Sequence, residues 1–535
     1  MEKTTVVLYP GAGVGHLAPM LELAKALLRH AGDQVDVAIV VVEPPVYADG
    51  FAATVARAKA SNASVACHVL PPPASDGGAE PDDPLTRLLR FLRATNAPLR
   101  DFLRALSASR RVQAIVLDMF CAGALDVAAD LGLPAYFHFA SGAAGLAYFL
   151  GLPAMRASVG TSFAELGGST VLSFPGVPPL TVADLPQGVL NDSEACRVIM
   201  GAAARMPDAR GILINSFESL EPRAMRALRD GLCVPGRATP PVYCVGPMVS
   251  PGGDGAGHEC LRWLDAQPDR SVVFLCFGSL GTFPKRQLEE IAVGLERSGQ
   301  RFLWVVRSPP GGPPADDVRA LLPAGFAERT EGRGLVVASW APQVDVLRHR
   351  AAGAFVTHCG WNSTLEGVVA GLPLLCWPLY AEQRMNKVRI VEEMKLGVEV
   401  RRDGEGLVTA QEVEAKVRWV MQDSDGAREL KERAEAARAR AAEALAEGGP
   451  SRAAFLEFVL DLLASEAFLK FVVDLSASEG MVNVGMATSQ IRIGCCKYPS
   501  VAISTVTDNI RPQLYLRLEI HIHAHAHRVL DIHRI

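Results

Sequence analysis

The chain contains no run of 18 uninterrupted apolar residues, so a membrane-spanning helix is not expected. It also lacks an excess of positive charge. Lys and Arg number 53 against 58 Asp and Glu, a formal net charge of −5, which leaves no cationic surplus to neutralise a run of nucleic-acid phosphates. Eleven cysteines, odd in number and scattered over 535 residues, do not form a disulfide framework. The adjacent pair Cys495–Cys496 lacks the spacing of a zinc site. The start, Met1-Glu2-Lys3, runs straight into a strand-like stretch without the pattern of a signal peptide. A soluble cytoplasmic protein is the expectation, a monomer by default, binding no nucleic acid and without a membrane-spanning segment.

At 49% hydrophobic and 21% charged, the composition is that of a globular chain of about two to four domains. Forty-eight glycines and 36 prolines suit the short turns of α/β folds. Short apolar runs alternate with helical patterns. In the first half, Thr4–Tyr9, 35–42, 112–117 and Ala135–Phe139 read as strands, and 17–30 and 123–131 as helices. The stretch PPPASDGGAEPDDP at 71–84 reads as a surface loop.

The rhythm restarts after the glycine-rich stretch 250–257. There 271–277, Arg301–Val306, Gly334–Ala338, 353–357 and 372–377 read as strands, and Lys285–Ser298 as a helix. Such alternation predicts parallel sheets with helices on both faces. We expect an N-terminal domain over 1–249, a linker at 250–259, and a second doubly wound domain over 260–465 closed by helices at 427–447 and 451–463. Residues 466–535 read as an atypical tail without function. Within it, 468–480 repeats 455–467 at nine of thirteen positions, and His521, His523, His525 and His527 alternate. Such a histidine run binds metal only if extended.

In open parallel sheets ligands bind beyond the carboxyl ends of the strands. In the second half those ends offer Gly278-Ser279, Trp340-Ala-Pro-Gln343, His358-Cys-Gly-Trp-Asn-Ser363 and Leu379-Tyr-Ala-Glu-Gln383. An aromatic plane, hydroxyls, amides, an imidazole and a carboxylate suit a nucleotide carrying phosphates and a sugar. A helix expected to start near Thr364 would present free N–H groups to phosphate. Ser363-Thr-Leu-Glu366 also reads as a capping box, which accounts for two of these residues but not for His358, Trp361 and Asn362.

Residues 340–383, WAPQVDVLRHRAAGAFVTHCGWNSTLEGVVAGLPLLCWPLYAEQ, resemble without a gap the signature box of the plant family 1 UDP-glycosyltransferases of secondary metabolism. Phe277-Gly278-Ser279, the segments CLRWLD at 260–265 and NSFESLE at 215–221, and the N-terminal Gly-His-Leu agree with it, and the resemblance spans about residues 4–465. It implies a GT-B fold, two facing Rossmann-like domains with the active site in the cleft between them.

By that resemblance Trp340 stacks on uracil, and Gln343 and Glu366 bond the ribose. Ser279, His358, Asn362 and Ser363 hold the diphosphate, and Trp361, Glu382 and Gln383 contact the sugar. Glutamine at the last box position accompanies glucose in the family, and glucuronate users often carry arginine where Trp361 stands. UDP-glucose is thus a co-substrate, with no cofactor and no metal. The one D-x-D, Asp423-Ser-Asp425, follows a helical WVMQ instead of a strand end.

The run Gly11-Ala-Gly-Val-Gly-His16 is half of a dinucleotide fingerprint, with Glu43 as its ribose acid. His16, however, occupies the place of the third glycine. The resemblance makes His16 the general base and Asp118 its orienting partner. It implies inverting O-glucosylation of small phenols, flavonoids, chalcones or anthocyanidins, to β-glucosides. Another plant acceptor such as a hormone or terpenoid, and a catalytically silent UDP-sugar-binding protein, stand as alternatives.

Overall fold

The structure is a computed structural model. It describes residues 3–464, apart from 12, 33–34, 44, 46–50, 53–54, 57–64, 74–80, 82, 254, 310–317 and 319, together with three strands beyond residue 480. Strands β1 (Thr4–Tyr9), β2 (Val35–Val41), β3 (Val65–Val69), β4 (Val112–Asp118) and β5 (Ala135–Phe139) are followed by a two-residue hairpin, β6 (Val171–Leu172) with β7 (Leu180–Thr181). Strands β8 (Gly211–Ile214) and β9 (Val242–Cys244) complete the first half. The parallel sheet runs β3-β2-β1-β4-β5-β8-β9.

The second half carries β10 (Val272–Cys276), β11 (Arg301–Val306), β12 (Gly334–Ala338), β13 (Ala352–Thr357), β14 (Leu374–Cys376) and β15 (Gly397–Glu399), in the order β12-β11-β10-β13-β14-β15. Every residue of β10 and β13 is buried, as strands covered on both faces must be. Apolar clusters line both faces of this sheet, around Phe274 and Phe355 on one side and Trp304 and Trp377 on the other.

Both sheets share one topology. The first strand lies at the centre, the next two step outward to one side, and the fourth returns to the other side. The direction reverses between β1 and β4, and again between β10 and β13. Such switch points open a crevice at the carboxyl ends of the strands. Trp361 and Asn362, after β13, bond backbone carbonyls at Asn215 and Gly15 in the first half, so the two crevices face each other.

The strands read from sequence are present, Thr4–Tyr9, Ala135–Phe139, Arg301–Val306 and Gly334–Ala338 with the same ends and the others with ends shifted by one or two residues. The sequence reading did not find β3, β8, β9 or β15, which are three to five residues long. The helix expected at 17–30 spans Val14–Ala31, and the one expected near Thr364 spans Trp361–Ala370. Helices Asp425–Leu445 and Pro450–Leu463 follow the last strand of the second sheet. From the latter, Phe455 meets His30 and Phe458 meets Tyr136 and Tyr243.

Further on, β16 (Asn483–Ala487), β17 (Gln490–Cys495) and β18 (Tyr498–Ile503) form an antiparallel meander within the stretch read as an atypical tail. The repeated segment 468–480 and the histidine run lie outside the described residues. No helix among the described residues is long and apolar enough to cross a membrane.

Candidate active site

At the first switch point the chain leaves β1 through Gly11 and Gly13. A Cβ on Gly11 would lie 2.5 Å from Asp118 Oδ1, and Gly13 has φ of 99°. These glycines serve close approach to a carboxylate and a backbone turn open to glycine.

The helix Val14–Ala31 begins three residues earlier than its apolar periodicity suggested, which puts His16 in its first turn. His16 Nδ1 stands 2.7 Å from Asp118 Oδ2. The other oxygen of Asp118 accepts from the Phe120 N–H at 3.0 Å. Asp118 is fully buried and His16 is partly exposed. Burial pulls the His16 pKa down, but the Asp118 charge, its hydrogen bond and the Glu382 charge together outweigh this, and the pKa rises above 6.5. With Nδ1 donating to the carboxylate, the lone pair is on Nε2, the position a general base needs. His138, which pairs in register with Asp118, is buried and held neutral, with a pKa of about 4.

At the second switch point Gly360 caps the helix Trp361–Ala370. Trp361, Asn362 and Ser363 therefore form its first turn, where N–H groups have no partner within the helix. This corrects the capping-box reading: Ser363 lies inside the helix instead of capping it. The first turn is an anion site by geometry and dipole.

Two glycines close on His358, since a Cβ on Gly278 or Gly360 would lie 2.5 or 2.4 Å from its Nε2. Burial holds the His358 pKa down at about 4. The ring is thus neutral and offers an N–H, not the positive charge that a titrating histidine would bring. Ser279 is exposed in the turn after β10. Arg307, at the end of β11, donates to the Gly278 carbonyl beside it at 3.2 Å. No motif in the sequence marks this cation at the end of β11.

Around the helix, Gln343 Nε2 donates to Ser363 Oγ at 2.9 Å and to Glu366 Oε2 at 2.5 Å, joining three of the expected site residues. Burial raises the Glu366 pKa to about 7, against the opposing effects of Gln343 and Arg348. Trp340 is 41% exposed, with the His258 ring set edge-on at 5.7 Å. A large aromatic left open beside a polar cluster is a ready stacking surface.

Trp361 is placed differently. The residue is 2% exposed, and Nε1 donates to the Asn215 carbonyl at 2.7 Å. Its backbone N–H is at the helix start. Gln383 Oε1 accepts from the Leu379 and Tyr380 N–H groups at 2.9 and 3.0 Å, which fixes the amide. Glu382 Oε1 accepts from Asn386 Nδ2 at 3.3 Å. Sequence reasoning did not single out Asn386 or Arg389, which have no strand end or motif of their own to mark them.

A histidine paired with a buried carboxylate at one crevice, facing a helix start and an exposed tryptophan at the other, has the architecture of a nucleotide-dependent transferase of GT-B fold. The family described as UDP-glucoronosyl and UDP-glucosyl transferase matches residues 233–430. UDP-glycosyltransferase 88B1 of Stevia rebaudiana is 42% identical over 467 residues, covering 85% of this chain and 98% of its own. Phloretin 2'-O-glucosyltransferase of Pyrus communis is 41% identical, with the same shares. The structure of Phytolacca americana UGT2 complexed with UDP-2fluoro-glucose and pterostilbene matches with a TM-score of 0.77 at 35% identity, covering 86% of this chain and all of that one. The chain belongs to the plant UDP-glycosyltransferase family and is a UDP-glycosyltransferase.

Proposed function

We propose that the enzyme transfers glucose from UDP-glucose to a hydroxyl of a small phenol, with inversion, giving a β-glucoside. The observation that carries this reading is the His16–Asp118 pair standing next to the start of the helix Trp361–Ala370, joined to it through the Gly15–Asn362 hydrogen bond. A phenol with a pKa of about 10 is a weak nucleophile at neutral pH, so His16 Nε2 removes its proton as the oxygen attacks the anomeric carbon. Asp118 holds the ring and stabilises the imidazolium. Attack from the face opposite UDP inverts the configuration.

On this reading the first helical turn, Ser279, Asn362, Ser363 and the neutral His358 N–H receive the charge that develops on the departing diphosphate. Trp340 stacks on uracil, worth about 1–3 kcal/mol. Gln343 and Glu366 bond the ribose, and Glu382 and Gln383 bond the sugar hydroxyls, with Trp361 contributing its backbone N–H. Residues 1–249 take the acceptor, 260–465 take the UDP-sugar, and 466–535 take no part. The reading places the enzyme in the cytoplasm as a monomer that needs no metal.

Relatives named for phloretin and anthocyanidin glucosylation, and the pterostilbene complex, support a flavonoid, chalcone or stilbene-like acceptor. Incubation with UDP-glucose and a panel of such phenols, followed by mass spectrometry and by the anomeric proton coupling of the product, tests the reading. Absence of any glucoside, or an α-linked product, overturns it.

A further inference from the structure

Glu221 and Arg389 come from opposite halves of the chain, and both are wholly buried. Their carboxylate and guanidinium are in hydrogen-bond contact. On the first half, Glu221 also accepts from the Ala143 and Ala144 N–H groups at 2.8 and 3.0 Å, at the start of the helix Ala143–Val159, and from the Ser216 hydroxyl. On the second half, Arg389 Nη1 donates to Asn386 Oδ1 at 2.9 Å, and the guanidinium lies 4.5 Å from the centre of the Trp361 ring. Asn386 Nδ2 in turn donates to the Cys359 carbonyl at 2.9 Å and to Glu382 at 3.3 Å.

Space at this junction is minimal. A Cβ on Gly142 would strike Glu221, Trp361 and Arg389 together. Arg389 also opens a five-residue π-helical segment, a geometry that interrupts ordinary helix and recurs at functional sites.

The network therefore runs from the first half to the turn before the helix Trp361–Ala370 and to Glu382. Cys359 has φ of 66° in that turn, and its carbonyl is held by Asn386. On the uracil and ribose side, Gln343 is instead bonded to Ser363 and Glu366.

We propose that Glu221 and Arg389 are a cross-cleft pair of positioning residues for transfer: they hold the phosphate-side turn and Glu382 in register with the base, leaving nucleotide binding to the ribose side. This deepens the donor reading above and rests on it. The asymmetry of the pair guides the choice of variant. Glu221 keeps two N–H donors, a hydroxyl and a helix start when Arg389 is removed, whereas Arg389 without Glu221 is a buried cation with one remaining acceptor. Arg389→Met is thus the variant that leaves the interior compensated. Arg389→Lys keeps the charge but loses the planar fork that reaches Glu221 and Asn386 together.

The experiment measures kcat/KM for UDP-glucose with one accepted phenol, and UDP affinity by calorimetry, for the full-length enzyme, both Arg389 variants and Glu221→Gln/Arg389→Met. A shift of about 1 Å at reacting atoms costs up to about a hundredfold. We expect R389M to lose at least about tenfold in kcat/KM while UDP affinity stays within about threefold, on that scale of misplacement. R389K should lose less, with the same split, and the double variant should be no worse than R389M. Melting temperatures falling while kcat/KM stays within twofold would show a structural pair only and overturn the inference. Equal losses in UDP affinity and kcat/KM would overturn it too. If R389M does not fold, the split in R389K decides. A wild type that transfers glucose to no phenol overturns the donor reading and this inference with it; an active wild type matched by its variants overturns this inference alone.

Discussion

Asn362 Nδ2 donates to the carbonyl of Gly15 at 2.9 Å, across 347 residues of sequence. Gly15 is the neighbour of His16, and Asn362 lies in the first turn of the helix Trp361–Ala370. On the proposed reading, one hydrogen bond therefore ties the position of the base to the position of the leaving group. Precise mutual placement of this kind is where much of an enzymatic barrier reduction originates.

Replacing His16 by Ala should cost transfer about 10²–10⁴-fold, the usual range for loss of a general base. The imidazole is on the first half, while Trp340, Gln343 and Glu366 are on the second, so UDP affinity should stay near wild type. Steady-state assay beside calorimetry with UDP checks both parts. Retained activity would remove His16 from the chemistry.

Acidity follows from the same pair. The folded His16 pKa lies above 6.5, and only the neutral ring accepts a proton, so kcat/KM should fall as pH drops through a value above 6.5. The sign for stability is opposite. A histidine whose pKa is raised on folding stabilises the fold below about 6.5 and loses that contribution as pH rises through the folded value. In Asp118→Asn the carboxylate's charge and its charged hydrogen bond are gone, leaving burial, the largest effect, against the Glu382 charge alone. The acid limb of the pH–rate profile should then move to lower pH while the maximal rate falls. An acid limb unchanged in the variant would show that another group sets it.

Much of this arrangement was legible from residue order because parallel strands buried on both faces write themselves as apolar runs, and the chemistry sits just after them. β10 and β13 are such runs, and Ser279 and His358 follow directly. What was not legible depends on tertiary contact. The glycine turn points to a helix start near Thr364, three residues late, and Ser363 and Glu366 match a capping box. The structure shows that Gln343 occupies both side chains instead. The neutrality of His358 comes from burial between two glycines, which no spacing announces. Glu221 closes the segment at 215–221, but nothing in residue order ties it to Arg389, 168 residues further on.

Glu366 gives a pH effect on donor binding. Burial raises its pKa to about 7, and the ionised carboxylate is the better acceptor for ribose hydroxyls. UDP-glucose carries no phosphate group that titrates near neutrality. Its affinity, measured without acceptor, should therefore tighten between about pH 6 and 8, the window around that pKa. Glu366→Gln should bind more weakly at pH 8 and lose the dependence. For stability the sign is adverse: a carboxyl raised from 4.5 to about 7 costs the fold stability progressively as pH rises through that interval. A wild-type affinity flat from pH 6 to 8 would separate Glu366 from the ribose.

Choice of sugar should rest on Gln383 and Glu382. Glucose and galactose differ only in the direction of the 4-hydroxyl, so discrimination requires hydrogen bonds of fixed direction. Gln383 supplies a fixed direction because its carbonyl oxygen is held by two backbone N–H groups, of Leu379 and Tyr380, which orients its NH₂ group. Glu382, anchored through Asn386, can accept from two hydroxyls. An analogue that leaves such groups unpaired is penalised by about 1–3 kcal/mol per group. The expected order is therefore UDP-glucose ahead of UDP-galactose and UDP-glucuronate. Gln383→His should erode that order, because an imidazole nitrogen has one lone pair where the amide oxygen has two. Glu382→Ala should lose more in kcat/KM for UDP-glucose than in UDP affinity, since UDP carries no sugar. Values of kcat/KM for the three donors with one accepted phenol decide the matter. Equal or better use of UDP-galactose or UDP-glucuronate by the wild type would overturn the assignment of Glu382 and Gln383 to the sugar.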